Sequence, residues 1–398
     1  MVDKKQLELN TILEVTEAIN NNLPEDSLYK IFYFICISDM KFKKMSLLVF
    51  EKEGVVEKVN HWLKIPEEFL KNAEEFDASK KIIYCRDTGR PEGFEEVNIA
   101  IPVTHKQKKL AILLLGGFED DDEKAHHTEF YFVQTLANIM MVAIENKRLV
   151  RKEIRREAFR KELEIARHVQ SLLFPKELPE NEVMSMHASY IPHYSVGGDY
   201  YDVMRLSEDE ILMCIADVSG KGVPAAILMS NFQASLRTLA HQTNDLTRIV
   251  HELNHTITTI SEGGHFITFF GAIYNEKKRK LRYINAGHNA PFMVCDDKMI
   301  LLKEGTTILG ALDELPFVHQ GEHDVKTDSL FYSYTDGVTE TVNDADEEFG
   351  EERLESFVNE NASILLKDMH ALLLHTLDEF KESQPYSDDL TMLSCRFF

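Results

Sequence analysis

The sequence predicts an α+β protein in three segments: a sensor-type module over residues 1–144, a helical linker over 145–177 and a larger α+β domain over 178–398. Three observations carry this. Two amphipathic helical stretches near the N-terminus are followed by short apolar runs of strand length. From Thr128 to Phe174 there is neither Gly nor Pro, a length that suits a coiled coil or signalling helix better than a globular one. Beyond Leu178, apolar runs bounded by Gly, Asp and Asn alternate with amphipathic segments.

The elements follow in order. Helices are expected at Leu7–Ile19 and Leu28–Ile37, and strands at Met45–Phe50, Val55–Val59, Val97–Val103 and Leu110–Gly116. This pattern suits one antiparallel sheet with helices against it. An acidic turn, Glu119–Glu123, precedes the long helix. In that helix Leu136, Met140, Ala143, Val150 and Ile154 keep a 4,3 spacing, with Lys147 at the one interrupted core position. Apolar residues then resume in a new phase at Ala158, Phe159, Leu163, Ala166 and Val169, which is how a stutter in a coiled coil reads. Nine Lys/Arg against five Glu between Glu145 and His168 make the stretch locally basic. The expectation is a dimerising helix that carries a signal, ended by Pro175 and Pro179. The third segment should hold strands at Ile211–Ala216, Phe266–Tyr274, Leu281–Asn285, Phe292–Cys295, Leu330–Tyr334 and Leu390–Phe397, and helices at Val223–Thr238, Leu246–Ile260 and Ile364–Phe380.

Composition narrows the function. The 398 residues carry a formal charge of −23, which argues against nucleic-acid binding and against adhesion to anionic membranes. Cys36, Cys85, Cys214, Cys295 and Cys395 are scattered, with no CxxC or CxxH spacing, so buried reduced thiols are expected rather than zinc or disulfides. The start, MVDKKQLELN, lacks a signal-peptide core, and no run of about 18 apolar residues occurs. A cytoplasmic location is expected.

Four short motifs place a carboxylate at the edge of an apolar run: Val196–Asp202 with Asp199, Ile215–Gly222 with Asp217, Tyr334–Gly337 with Asp336, and Ser387–Thr391 with Asp388 and Asp389. Adjacent glycines let the main chain approach a ligand closely. Carboxylates that converge without His or Cys repel one another unless a cation lies between them. Oxygen-only ligation suits Mg²⁺ or Mn²⁺ rather than Zn²⁺.

The ordered motifs GGDYYD (Gly197–Asp202), ADVSGKGVPAA (Ala216–Ala226), NAGHNAP (Asn285–Pro291), YTDGVTE (Tyr334–Glu340) and SDDLTM (Ser387–Met392) resemble the SpoIIE-type branch of the metal-dependent PPM protein phosphatases. Leu163–Leu173 is similar to the helix that precedes such domains in bacterial stress-response phosphatases, and the N-terminal segment resembles a GAF sensor by pattern. The resemblance implies an αββα sandwich with a site for two Mn²⁺ or Mg²⁺ ions at one end, which activate a water for hydrolysis. It also implies that Asp217 bridges both metals beside the Val218 carbonyl. Asp336 and Asp388 then match two further ligands, and Asp199 contributes at the other metal directly or through water. Asp217, Asp336 and Asp388 are the catalytic residues so implied; Asp202 and Asp389 stay open between ligating and supporting roles. The implied substrate is a phosphoserine or phosphothreonine on a STAS-type anti-sigma factor antagonist. A homodimer through the linker and a small-molecule or protein signal at the GAF-like segment complete the expectation.

No Ser/His/Asp set or CX₅R loop offers a protein nucleophile, and Val218-Ser219 stands where larger relatives carry a His. Lys221 reads as a solvated lysine, His288 as a turn residue and Trp62 as core or sensor-pocket lining. His251-Glu252-Leu253-Asn254-His255 matches HExxH, but Ile249, Leu253, Ile257 and Ile260 give that helix an apolar face, so packing is expected. The rival reading is a catalytically inactive relative that acts as a signal-dependent binding module.

Overall fold

The computed structural model describes residues 4–52, 54–65, 82–85, 96–106, 108–118, 127–261, 264–296 and 298–398; the acidic turn at Glu119–Glu123 lies outside them. The chain divides into two compact units, Met1–Glu157 and Ala158–Phe398.

In the first unit, helices α1 (Lys4–Asn20) and α2 (Glu25–Phe34) precede strands β1 (Lys44–Glu51), β2 (Gly54–His61), β3 (Ile83–Tyr84), β4 (Val97–His105) and β5 (Lys108–Gly116). The strands pair in the order β2-β1-β5-β4-β3, antiparallel throughout. Alternation sorts the faces: Met45, Leu47 and Val49 join Val15, Leu28 and Phe32 of the helices, while Leu48 faces the other way with Ala100, Ile112 and Leu114. The long helix α3 (His127–Ser171) closes this core with Phe130, Val133, Leu136 and Met140. Lys147, the interrupted position of the heptad, has a positive role here. Its ammonium donates to the carbonyls of Asn22 and Leu23 at 3.0 and 2.8 Å, where α1 ends and leaves acceptors unpaired. Arg148 bridges Glu25 and Glu51. Trp62 departs from expectation: it is 79% exposed, because positive φ at the end of β2 turns it out of the sheet.

The second unit is a sandwich of two sheets. One contains β7 (Tyr200–Arg205), β8 (Glu210–Val218), β9 (Ile267–Asn275), β10 (Lys280–Ala286), β13 (Gly305–Thr306) and β14 (Gly321–Asp324); the other runs β12 (Lys298–Leu301), β11 (Phe292–Cys295), β15 (Ser329–Tyr334), β16 (Leu390–Phe397), β6 (Met184–Ile191). Met213, Ile215, Phe270 and Tyr274 from the first sheet meet Met184, Phe331, Leu393 and Phe397 from the second. The outer face of the first sheet is covered by α4 (Val223–Gln242) and α5 (Leu246–Ser261), and that of the second by α7 (Gly350–Glu360) and α8 (Leu366–Phe380); the short α6 spans Asp336–Thr339. The αββα expectation is met. On α5, Ile249, Leu253 and Ile257 are buried while His251, Glu252 and His255 face solvent, so the HExxH pattern is a packing helix. Cys36, Cys85, Cys214 and Cys395 are buried free thiols, and Cys295 is half-buried. Among the described residues no helix is long and apolar enough to cross a membrane.

Candidate metal centre

Strand pairing brings the predicted acids together. Tyr200 of β7 pairs with Ala216 of β8, so Asp199, just before β7, lies beside Asp217 near the end of β8. In the other sheet Tyr334 of β15 pairs with Met392 of β16, which sets Asp336, at the start of α6, beside Asp388, just before β16. Two threonines then tie the sheets to each other. The Thr335 and Thr391 hydroxyls both donate to Asp199 Oδ2, at 2.7 and 2.5 Å. The Thr391 N–H donates to Thr335 Oγ1 at 3.0 Å. Asp199 is 1% exposed, and these hydroxyls supply the hydrogen bonds a buried carboxylate needs.

Glycines permit the approach. A Cβ on Gly337 would stand 2.0 Å from the Asp389 carbonyl oxygen, and one on Gly198 would stand 2.9 Å from that of Val218. No larger residue fits at Gly337 without moving the strand end that carries Asp388.

The electrostatics are those of an acidic cluster short of positive charge. Burial first, then the charges of Asp336 and Asp388, push Asp217 up to about 7; a hydrogen bond with Asp199 acts the other way. Asp199 is raised well above the carboxylate range by burial and by Asp217 and Asp389. Asp336 is raised by burial and by Asp388. A divalent cation is what such a group of oxygen donors accepts, so the chemistry of the donor set fits Mg²⁺ or Mn²⁺. Among the described residues no three acidic, His or Cys side chains form a closed ligand set. Lys221 already engages one of the carboxylates. Its ammonium lies 2.7 Å from Asp388 Oδ2 and donates to the Ser387 carbonyl at 2.7 Å. Lys221 is therefore not merely solvated, as the sequence suggested. Burial opposes its charge, but Asp388 outweighs burial and holds its pKa above the usual lysine value.

The two open acids each have hydrogen-bond partners of their own. Asp389 accepts from the backbone N–H groups of His193 and Gly198, both at 2.7 Å, which pins the loop before Asp199. Asp202 is turned away from this cluster: it accepts two hydrogen bonds from Arg237 of α4, at 2.7 and 2.9 Å, and one from Tyr200. His288 is buried, accepts or donates at Nδ1 with the Thr268 hydroxyl at 2.8 Å, and sits in a turn capped by Asn285. Burial lowers it to about 4, so it is a neutral structural imidazole at physiological pH. Sequence reasoning missed Thr335, Thr391 and Gln170; the signal available was their place one residue before Asp336, three after Asp388 and in the last turn of the linker helix.

The C-terminal unit is thus an αββα sandwich with an all-oxygen acidic cluster at one end of its sheets. Residues 207–398 match the family model described as Stage II sporulation protein E (SpoIIE). The chain is 28% identical over 222 residues to the phosphoserine phosphatase RsbU of Bacillus subtilis, covering 55% of this chain and 64% of RsbU. It is 26% identical over 278 residues to protein IcfG of a Synechocystis species, covering 62% of this chain and 43% of IcfG. The chain thus spans less than two thirds of the length of these curated relatives. In fold it is similar to the SiaA-PP2C domain of Pseudomonas aeruginosa, with a TM-score of 0.56 at 20% identity, over 61% of this chain and 98% of that one. The family match thus falls within the C-terminal unit, whose fold is that of the SiaA-PP2C domain.

Proposed function

We propose that the protein is a metal-dependent serine/threonine protein phosphatase that hydrolyses a phosphoserine or phosphothreonine on a protein regulator. The observation that carries this is the meeting of Asp199, Asp217, Asp336 and Asp388 from the ends of four strands in two sheets, each of the first three raised in pKa by burial and its neighbours. Asp217, with the Val218 carbonyl, Asp336 and Asp388 would hold two Mn²⁺ or Mg²⁺ ions, with Asp199 beside them. Bound there, the ions would supply charge neutralisation and an activated water for in-line attack on a phosphate monoester. The chain's own part is to hold the acids. Thr335 and Thr391 fix Asp199, Asp389 fixes the His193 and Gly198 amides, and the glycines let the loops close on one another. With cations bound, Lys221 would release Asp388 and offer positive charge at the rim for the anionic substrate.

The regulatory half of the reading rests on pattern. The sheet order of the first unit and the helices on one of its faces support a GAF-like sensor over 1–144, open to a small-molecule or protein signal. The exposed Val150, Ile154, Phe159, Ile165 and Val169 of α3 support a dimerising linker over 145–177. The 28% identity to RsbU supports a phosphorylated STAS-type anti-sigma factor antagonist as substrate, and the chain's acidity is consistent with a cytoplasmic protein that avoids nucleic acid and membrane. The test is Mn²⁺-dependent phosphate release from a phosphoserine protein by the wild type and by Asp217→Asn and Asp336→Asn. The reading expects turnover by the first alone. Equal turnover by all three, or none by the wild type with any STAS-domain partner that co-purifies, would refute it in favour of a binding module.

A further inference from the structure

From Leu149 to Val169 no residue of α3 is buried; Gln170 is the first that is, at 6% exposed. A glutamine is an unusual choice for the one point at which an exposed helix enters a core, and its contacts explain it. The Gln170 amide reads both polar groups of one glycine: Nε2 donates to the Gly197 carbonyl at 2.7 Å, and the Gly197 N–H donates to Oε1 at 3.3 Å. The side chain thereby serves Gly197 as a neighbouring strand would. The next peptide N–H, that of Gly198, is held by Asp389, and the next side chain is Asp199. The space leaves no slack, because a Cβ on Gly197 would lie 2.2 Å from Asp389 Oδ2 and 2.4 Å from the Tyr190 hydroxyl. Phe174, just past the helix end, stacks on Tyr190 at 4.8 Å and packs against Tyr200 and Tyr201. The end of the linker is thus seated on the loop that delivers Asp199.

We propose that Gln170 is a positioning residue that sets the Gly197–Asp199 loop for metal binding, so that the last turn of α3 and the metal centre are coupled in both directions. The proposal rests on the metal-dependent reading above. It makes the Gly197–Asp199 loop a point where a movement of the linker reaches the chemistry. Gly197 is buried with both its polar groups committed to the amide, so withdrawal of Gln170 leaves that backbone unsatisfied and free to shift. Binding linkage requires the reverse as well: ions that favour the ordered loop favour the docked helix end.

The experiment compares the full chain with Gln170→Met, which keeps side-chain length and loses the amide, and with Ser171→Ala as a neighbouring control. Calorimetric titration with Mn²⁺ should show the Gln170→Met affinity lowered by about 10–100-fold, the range for supporting partners of metal ligands. Ser171→Ala should bind as the wild type does, and saturating Mn²⁺ should restore much of the Gln170→Met turnover. A merely structural role would lower the melting temperature and leave the Mn²⁺ affinity of the folded protein unchanged. A second arm needs no variant: on adding Mn²⁺ to the wild type, amide hydrogen exchange should slow together at residues 197–199 and at 168–172. Unchanged Mn²⁺ affinity in folded Gln170→Met, or protection that rises at 197–199 without rising at 168–172, overturns the proposal while the metal reading stands. A wild type that takes up no Mn²⁺ overturns both.

Discussion

Replacing Asp217 by Asn should make the protein more stable without metal and less stable with it. In the metal-free centre Asp217 stands at a pKa of about 7, against an ordinary value of 3.8. A displacement of that size corresponds to about 4 kcal/mol of unfavourable ionisation at high pH. This is an upper bound, because Asp217 and Asp199 share a hydrogen bond and titrate as a pair; about 2 kcal/mol is a working figure. The sign follows from proton binding. Between the ordinary and the raised pKa the native state holds more protons than the unfolded chain, so this group's contribution to stability falls as pH rises from about 4 to about 7. The neutral Asn side chain escapes that loss. In chelator-treated protein at pH 7.5, Asp217→Asn should therefore melt about 4–8 °C above the wild type, given roughly 2–4 °C per kcal/mol for a domain of this size. Near pH 4 the gap should close. With Mn²⁺ in excess the order should invert, because ligand binding to the native state raises stability in the wild type and much less in a variant lacking the Asp217 carboxylate. The assay is thermal unfolding across pH, with and without Mn²⁺. A variant that melts below the chelated wild type at pH 7.5, or a gap that does not depend on pH, would refute the electrostatic account.

Two further outcomes are expected. Lys221→Met removes the ammonium that competes for Asp388, so Mn²⁺ should bind more tightly, by roughly fivefold or about 1 kcal/mol for an exposed charge pair, while the KM for a phosphoprotein rises; calorimetry and steady-state kinetics read the two effects separately. Arg237→Met strands the fully buried Asp202 carboxylate and should cost about 3 kcal/mol in urea unfolding, with Mn²⁺ affinity unchanged, since Asp202 faces α4 and not the metal centre.

Much of the fold was legible because strands and helices announce themselves through neighbours in the chain. Ile211–Ala216, Phe292–Cys295 and Leu390–Phe397 were readable as apolar runs, and the helices at Val223 and Leu246 as apolar stripes. The strands β6 and β7 were not, since Met184–Ile191 and Tyr200–Arg205 interleave polar residues with apolar ones, and pairing with β16 and β8 sets their register. The same division runs through the centre. The sequence picked out the candidate acids and showed that their motifs offer only oxygen donors, because residue type and motif order are properties of the chain. It left Asp389 and Asp202 open between ligating and supporting roles, since nothing along the chain names their partners. Tertiary structure decided those roles through partners far away in sequence: Asp389 by the amides of His193 and Gly198, Asp202 by Arg237, Asp199 by Thr335 and Thr391. Lys147 reads as a defect in a heptad until Asn22 and Leu23 supply the carbonyls it binds. A carboxylate's chemistry is fixed by its bonds, but whether it meets a cation, an amide or a guanidinium depends on what the fold sets opposite it.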